Sequence, residues 1–185
     1  IVVPPNSTGN NFGNVCLAGG KGRTLGFWSN KNGQAAITGA PGGASAVMTS
    51  LSNLNLRNGA GADFNPTSYA AFRSWLLGAT ANNMAYMLSA QMSAIWLNIN
   101  VGGPVGKVPD TAVLYAGIPP AGCTVGGLNG YGFVGVTALI NAANASLANP
   151  NGYSVAGSAM RSCQEFMKNA LDRGNNNLNF VGSPD

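Results

Sequence analysis

Apolar residues recur every three to four positions in five segments of this sequence, which is the spacing of one face of an α-helix. The segments are residues 44–51, 66–78, 83–98, 135–148 and 154–173. Asn65 and Pro66 stand where an N-cap and a first helical residue are needed, and Gly174 is placed to end the last helix. Residues 83–98 are apolar over more than half of the helix circumference, which predicts burial on several sides. The pattern predicts a mainly α fold, a compact bundle of about four to five helices around this segment.

Two regions lack the helical pattern. Residues 1–24 hold Pro4, Pro5 and several glycines, so they are predicted to form an extended N-terminal arm, in front of a single mainly helical domain over residues 25–185. The apolar start of the arm, Ile1, Val2 and Val3, has strand character. The arm could lie on its own domain, form a loosely ordered tail, or contact a neighbouring subunit as an added strand.

The second region is residues 99–134, which are rich in glycine and contain four prolines. Its short apolar pieces include residues 113–115 and 132–134, and a long loop with one small strand or turn fits this composition better than a helix does. Long segments without regular structure in compact domains are often functional.

Charged residues make up 8% of the chain, against about 25% in ordinary soluble domains. Abundant glycine, amides and hydroxyls must therefore cover the surface. Such a surface suits contact with other copies of the chain or with a solid, because little charge has to be desolvated there. The nine basic residues are scattered, so no nucleic-acid partner is expected.

The chain starts at Ile1 without a basic and long apolar segment, so we expect that a targeting peptide has been removed and that the protein is extracellular or on the cell surface. No membrane span is expected either. The most apolar stretch, residues 84–99, contains polar side chains and is shorter than the roughly 20 residues that a bilayer requires.

The chain contains three cysteines, Cys16, Cys123 and Cys163, which are far apart in sequence and lack a CxxC pattern. Under oxidising conditions this number predicts one disulfide and one remaining thiol. The spacing does not decide the pairing, but Cys123 is favoured for the bridge because it lies in the Gly/Pro-rich loop, which benefits from a tether.

Histidine is absent, which excludes the Ser-His-Asp and Cys-His nucleophiles and the usual zinc and haem ligands. The chain holds five acidic residues. Glu165 and Asp172 share a predicted helix with Arg161 and Lys168, which predicts surface ion pairs. We therefore expect a protein that is not an enzyme and has no metal and no cofactor.

Several residues are candidates for other roles. Asn6 and Asn144 stand in N-x-S/T sequons and are candidate glycosylation sites. Tyr115, Tyr131 and Tyr153 could bind a carbohydrate with neighbouring amides. Asp63 and Asp110 are best explained as residues that stabilise turns and helix ends.

Residues 26–31, Gly-Phe-Trp-Ser-Asn-Lys, resemble the G-Y-W-K-N-H signature of a domain family of secreted bacterial proteins. Residues 87–100 resemble that family's helix, which reads roughly L-A-x-Q-L-x-A-A-x-L-N-x-A-N-G, and residues 138–143 resemble its Ala-rich helix. The resemblance implies an extracellular, small, mostly helical domain without established catalytic residues. Lys31 stands where the signature has histidine, so any role of that histidine is absent. From the motif itself we expect Phe27 and Trp28 to pack against the central helix and Asn30 to bond a turn.

The leading functional hypothesis is an extracellular structural or adhesive surface protein whose partners are copies of itself, as in a filament. The second is a secreted module that binds carbohydrate or another surface polymer. The third is a hydrolase that uses Asp63 or Asp110.

Overall fold

A computed structural model describes residues 16–149 and 159–182. The elements in chain order are β1 (Leu17–Ala18), α1 (Leu25–Trp28), α2 (Lys31–Gly39), α3 (Gly43–Ser52), α4 (Tyr69–Leu77), α5 (Met84–Asn100), β2 (Val113–Tyr115), β3 (Phe133–Gly135), α6 (Val136–Ala148), α7 (Ala159–Asn175) and β4 (Phe180–Val181). These residues are mainly helical, as predicted, with a small four-stranded sheet. The described part contains seven helices where about four to five were expected.

The two additional helices lie in the segment that follows the arm. Thr24 caps α1 with its hydroxyl, which accepts the N–H of Phe27. Asn30 caps α2, because its Oδ1 accepts the N–H groups of Asn32 at 2.8 Å and Gly33 at 3.2 Å. The helices are four and nine residues long and carry few apolar positions, so their periodicity is too weak to predict them.

Helix α5 lies at the centre of the fold. It packs against α1, α6 and α7, and its side chains are buried around almost the whole circumference, including Leu88, Met92, Ile95 and Leu97. Asn83 caps its first turn by accepting the N–H of Tyr86 at 3.2 Å. The prediction of a helix buried on several sides is therefore confirmed.

Two predicted helix ends are wrong by a few residues. Helix α4 begins at Tyr69 and is capped by Ser68, whose hydroxyl accepts the N–H of Ala71, so Asn65 and Pro66 precede the helix. Helix α7 continues through Gly174 to Asn175. Two residues after the end of the helix, Asn177 has a φ of 59°, the left-handed conformation that commonly follows a helix end.

The strand order of the sheet is β1-β4-β2-β3, with antiparallel neighbours. Phe180 of β4, Leu114 of β2 and Val134 of β3 form one register row and are buried against the helices. The residues after α7 supply strand β4, in which Phe180 is buried, and the preceding Asn179 is buried as well.

The described part of the arm, residues 16–24, lies on the domain itself. Strand β1 pairs with β4, and the Oδ1 of Asn177 accepts the N–H groups of Gly20 at 3.1 Å and Gly22 at 2.6 Å. Ile1, Val2 and Val3 lie outside the described residues. In the described part of the chain, the helices are too short or too polar to cross a membrane.

Candidate interaction surface

Three aliphatic side chains form a row across the outward face of the sheet. Leu17 is opposite Val181, and the pairing of Leu114 with Phe180 places Val113 beside Val181. Because side chains alternate along a strand, these three point away from the buried row. Leu17, Val113 and Val181 are 43%, 37% and 36% exposed. We call them the outward aliphatic row.

An aromatic pair extends the same face. Tyr115 is two residues from Val113 on β2 and is paired with Phe133 of β3, and the two ring centroids are 5.3 Å apart. Both side chains are half-buried. The outward face of the sheet is therefore apolar from β1 to β3.

Among the described residues, strand β1 forms one edge of the sheet, and residues 1–15 are joined to it through Cys16. Cys16 is an exposed free cysteine at this edge, where its carbonyl accepts the N–H of Gly182 at 2.8 Å. Residues 16–20 and 178–182 contain no charged side chain. Proteins that keep sheet edges from pairing with other chains often place lysine or proline there, and this edge has neither.

A second exposed feature is the disulfide-tethered loop, residues 116–132, which joins β2 to β3. Its ends meet because the N–H groups of Ala116 and Gly117 both donate to the carbonyl of Gly132, at 2.8 and 3.2 Å. Gly132 has a φ of 88°, and a Cβ there would lie about 3 Å from the backbone of Gly117. The loop is joined to α7 by the Cys123–Cys163 disulfide, whose Cα atoms are 5.1 Å apart. The predictions of one bridge and of Cys123 as its member are confirmed.

A network of buried amides holds residues 20–24 against α5 and α7. The Nδ2 of Asn98 donates to the Oδ1 of Asn175 at 2.8 Å, and the Nδ2 of Asn175 donates to the Oε1 of Gln91 at 2.8 Å. Asn98 also exchanges two hydrogen bonds with the backbone of Arg23. All three amide side chains are buried, and their mutual hydrogen bonds offset the cost of removing them from water.

The acidic side chains serve separate structural roles. Asp63 forms an ion pair with Arg57, and the Nε of Arg57 donates to the carbonyl of Leu147 at the end of α6. Asp110 is exposed in the loop before β2, and its backbone carbonyl accepts the hydroxyl of Thr137 at 2.8 Å. The described residues include no group of three Cys, Asp or Glu side chains that could hold a metal ion.

The predicted ion pairs of α7 do not form among the described residues, where the ion pair present is that of Arg57 with Asp63. The carboxylate of Asp172 instead accepts hydrogen bonds from the Nε2 of Gln91 at 3.1 Å and the Nδ2 of Asn176 at 3.0 Å. The guanidinium of Arg161 donates to the carbonyls of Ala81 and Asn82. Gln91, Ala81 and Asn82 belong to neighbouring segments of the fold, so hydrogen bonds to those segments form where ion pairs within α7 were predicted.

The hydroxyl groups of two tyrosines, Tyr69 and Tyr86, have a raised pKa. The hydroxyl of Tyr69 donates to the carbonyl of Asn30 at 3.0 Å, and that of Tyr86 donates to the carbonyl of Trp75. Burial raises the pKa of both, and nearby Arg73 partly offsets the increase for the pKa of Tyr69. Both therefore remain neutral hydrogen-bond donors well above neutral pH.

The remaining candidate residues have different surroundings. Asn144 lies inside α6, where its Oδ1 accepts the N–H of Asn55 at 2.7 Å, so it is not on the exposed loop that a glycan acceptor prefers. Tyr131 is strongly exposed in the disulfide-tethered loop, whereas Tyr115 is half-buried on the sheet. Asn6 and Tyr153 lie outside the described residues.

The residues of the signature-like segment are structural. Trp28 is fully buried and its Nε1 donates to the Oδ1 of Asn98 on α5 at 3.1 Å, while Phe27 packs edge-on against Trp28. Asn30 caps α2, as expected of a residue that bonds a turn. No family model, curated protein or solved structure matches this chain.

Sequence reasoning missed the outward aliphatic row. Its members come from residues 17, 113 and 181, and nothing local marks them as neighbours. Alternation within β2, where Val113 and Tyr115 flank a buried Leu114, is the signal that could have indicated a second apolar face.

Proposed function

We propose that this protein is an extracellular structural subunit that associates with copies of itself and performs no catalysis. The observation that carries the proposal is the outward aliphatic row, which ends at strand β1, the edge strand within the N-terminal arm. Exposed apolar surface that spans adjacent strands is typical of an interface, because its burial releases water. The resemblance to the secreted G-Y-W-K-N-H family agrees with an extracellular location.

The chemical properties of the described side chains favour a role in contact between subunits over a catalytic role. The chain lacks histidine, and Asp63 already pairs with Arg57. The two tyrosines with a raised pKa donate to backbone carbonyls inside the core.

The partner surface that we propose for the arm is the edge of β1. Ile1, Val2 and Val3 of one copy would add a strand beside Leu17 and Ala18 of the next copy. Main-chain hydrogen bonds would supply affinity, and the aliphatic side chains would extend the outward row. Pro4 and Pro5 limit such a strand to its first three residues.

The experiment compares self-association of the wild type with that of the V113T/V181T double variant by sedimentation velocity and electron microscopy. Threonine keeps strand propensity and places a hydroxyl on the exposed face, so the fold should be retained. All proteins carry C16S, so that chance disulfides between copies do not contribute. We expect assemblies in the wild type and at least a tenfold weaker association in the double variant.

L77T is the matched control, because Leu77 is 58% exposed at the end of α4, away from the sheet. It should associate like the wild type. Wild-type protein that remains monomeric at high concentration would refute the proposal. Equal association of the double variant would exclude the outward aliphatic row as the interface.

A further inference from the structure

The disulfide-tethered loop presents the two most exposed large hydrophobic side chains of the described residues. Tyr131 is 80% exposed and Ile118 is 69% exposed, and they flank the point where Gly117 and Gly132 meet. A cleft of about 290 Å³ opens beside Ile118. Its other lining residues include Pro119, Thr124, Leu128, Asn129 and Gly130.

Hydrogen bonds within the loop hold the backbone at Tyr131 in place without a ligand. The Oδ1 of Asn129 accepts the N–H groups of Tyr131 at 2.9 Å and Phe133 at 3.0 Å, and the N–H of Asn129 donates to the carbonyl of Phe133 at 2.9 Å. The disulfide of Cys123 holds the other side of the loop on α7. Binding of a ligand to this loop therefore requires little loss of backbone conformational entropy.

The loop also presents polar groups whose hydrogen-bonding capacity is unused. With its Oδ1 engaged, Asn129 retains the two N–H donors of Nδ2, for which no partner exists in the described part of the chain. Thr124 is exposed on the cleft, and its hydroxyl likewise bonds no described residue. An aliphatic protein surface placed over the cleft would leave these donors unsatisfied, whereas a ligand rich in hydroxyls would satisfy them.

The charge pattern of the sequence narrows the ligand class. Between Asp110 and Arg161 the chain contains no Asp, Glu, Lys or Arg, and the whole loop lies within this interval. The loop itself therefore offers no opposite charge to an anionic or cationic polymer, which would lose hydration there. An uncharged partner does not incur this cost.

We propose that Tyr131 and the adjacent cleft bind an uncharged polysaccharide. The apolar face of a sugar ring would lie on the exposed phenol ring, and its hydroxyl groups would accept from Asn129 and exchange hydrogen bonds with Thr124. The site lies in the loop that joins β2 to β3, and it shares no residue with the outward aliphatic row. The inference therefore goes beyond self-association and stands without it.

Affinity electrophoresis of the full chain in gels containing mixed-linkage β-glucan, α-mannan, galactomannan or dextran tests the proposal, with alginate as an anionic comparison. We expect retardation by at least one neutral polymer and none by alginate. Y131A should weaken that binding about tenfold, while Y131F, which keeps the ring, should stay within about threefold of the wild type. L77A is the control for loss of an exposed hydrophobic side chain.

Folding of each variant is checked by near-ultraviolet circular dichroism and by its Tm, which should not change because the Tyr131 ring is exposed. Wild-type protein that none of the four neutral polymers retards would overturn the proposal. Binding by Y131A equal to that of the wild type would also overturn it. If Y131A weakens self-association and no polysaccharide binds, the loop is a contact between subunits and the proposal fails.

Discussion

The indole Nε1 of Trp28 donates to the Oδ1 of Asn98 at 3.1 Å in the fully buried contact between α1 and α5. The same oxygen accepts the N–H of Arg23 at 2.9 Å, and the Nδ2 of Asn98 donates to Arg23 and Asn175. One amide side chain thus joins α1, α5, α7 and the segment that leads to β1. This amide therefore connects the segment between β1 and α1 to the buried core.

The N98A variant should lower the free energy of unfolding by about 3 kcal/mol or more. It leaves the N–H of Arg23, the indole of Trp28 and the Oδ1 of Asn175 without their partner, and each buried unsatisfied group costs about 1–3 kcal/mol. Urea unfolding followed by tryptophan fluorescence measures the loss. N100A removes an exposed amide from the same helix and should change stability by less than about 0.5 kcal/mol. Similar losses in both variants would contradict the role of the network.

Gly33 and Gly39 lie in the same helix and should respond in opposite ways to alanine. A Cβ on Gly33 would be 2.3 Å from the carbonyl oxygen of Phe27, whereas a Cβ on Gly39 meets nothing within 4 Å. G33A should destabilise the protein by about 1–3 kcal/mol, because the backbone of α1 has to shift. G39A should be neutral or stabilising by up to about 1 kcal/mol, since alanine is the better helix former. Thermal unfolding of the two variants gives the comparison, and a stable G33A would refute the close packing of α1 on α2.

Removal of the disulfide by the C123S/C163S double substitution should lower the free energy of unfolding by about 3–4 kcal/mol. The bridge closes a sequence separation of 40 residues, and the chain-entropy relation gives a loss of this size. Urea midpoints of the double variant and of the wild type with and without reductant test this. C16S should keep the wild-type midpoint, because Cys16 is free and exposed. A reductant effect that persists in the double variant would show that another bond is responsible.

Stability should decline above about pH 10. An unfolded tyrosine ionises near this value, whereas burial raises the pKa of Tyr86 and Tyr69 in the folded state. Above pH 10 the unfolded chain loses protons that the folded chain keeps. The stabilisation is therefore complete below the unfolded pKa and is lost as the pH rises toward the folded pKa.

Urea unfolding between pH 8 and pH 11, in a C16S background that limits thiol exchange, measures this decline. Y86F should reduce its slope, at a cost of about 1 kcal/mol at neutral pH for the lost hydrogen bond to Trp75. Y131F removes an exposed hydroxyl and serves as the comparison. An unchanged slope in Y86F would exclude Tyr86 as a source of the pH dependence.

The sequence indicated the main helices because their periodicity is local. Tyr69, Phe72 and Trp75 repeat at the helical spacing, and all are buried in α4. The Gly/Pro-rich region could likewise be predicted as a loop with one small strand or turn, whereas the structure has the two paired strands β2 and β3. The four-residue helix α1 could not be predicted, because contacts distant in sequence hold it, above all the bond from Trp28 to Asn98.

The candidate surfaces were less predictable. Tyr131 was one of three candidate tyrosines that the sequence did not distinguish, and its exposure is seen only in the folded loop, whose ends meet at Gly117 and Gly132. Asp172 was expected in an ion pair on its own helix, but the packing of α5 brings the amide of Gln91 to its carboxylate.

By itself, the sequence determined what depends on neighbouring residues and on composition: the mainly helical class, the central position of residues 83–98, the surface poor in charge and the absence of imidazole. Tertiary structure decided which distant residues meet. Leu17, Val113 and Val181 form one row because strand pairing brings three remote segments within about 5 Å of their neighbours. Hydrophobic periodicity predicts local structure over a few turns of a helix. Strand register and helix packing depend on the folding of the whole domain.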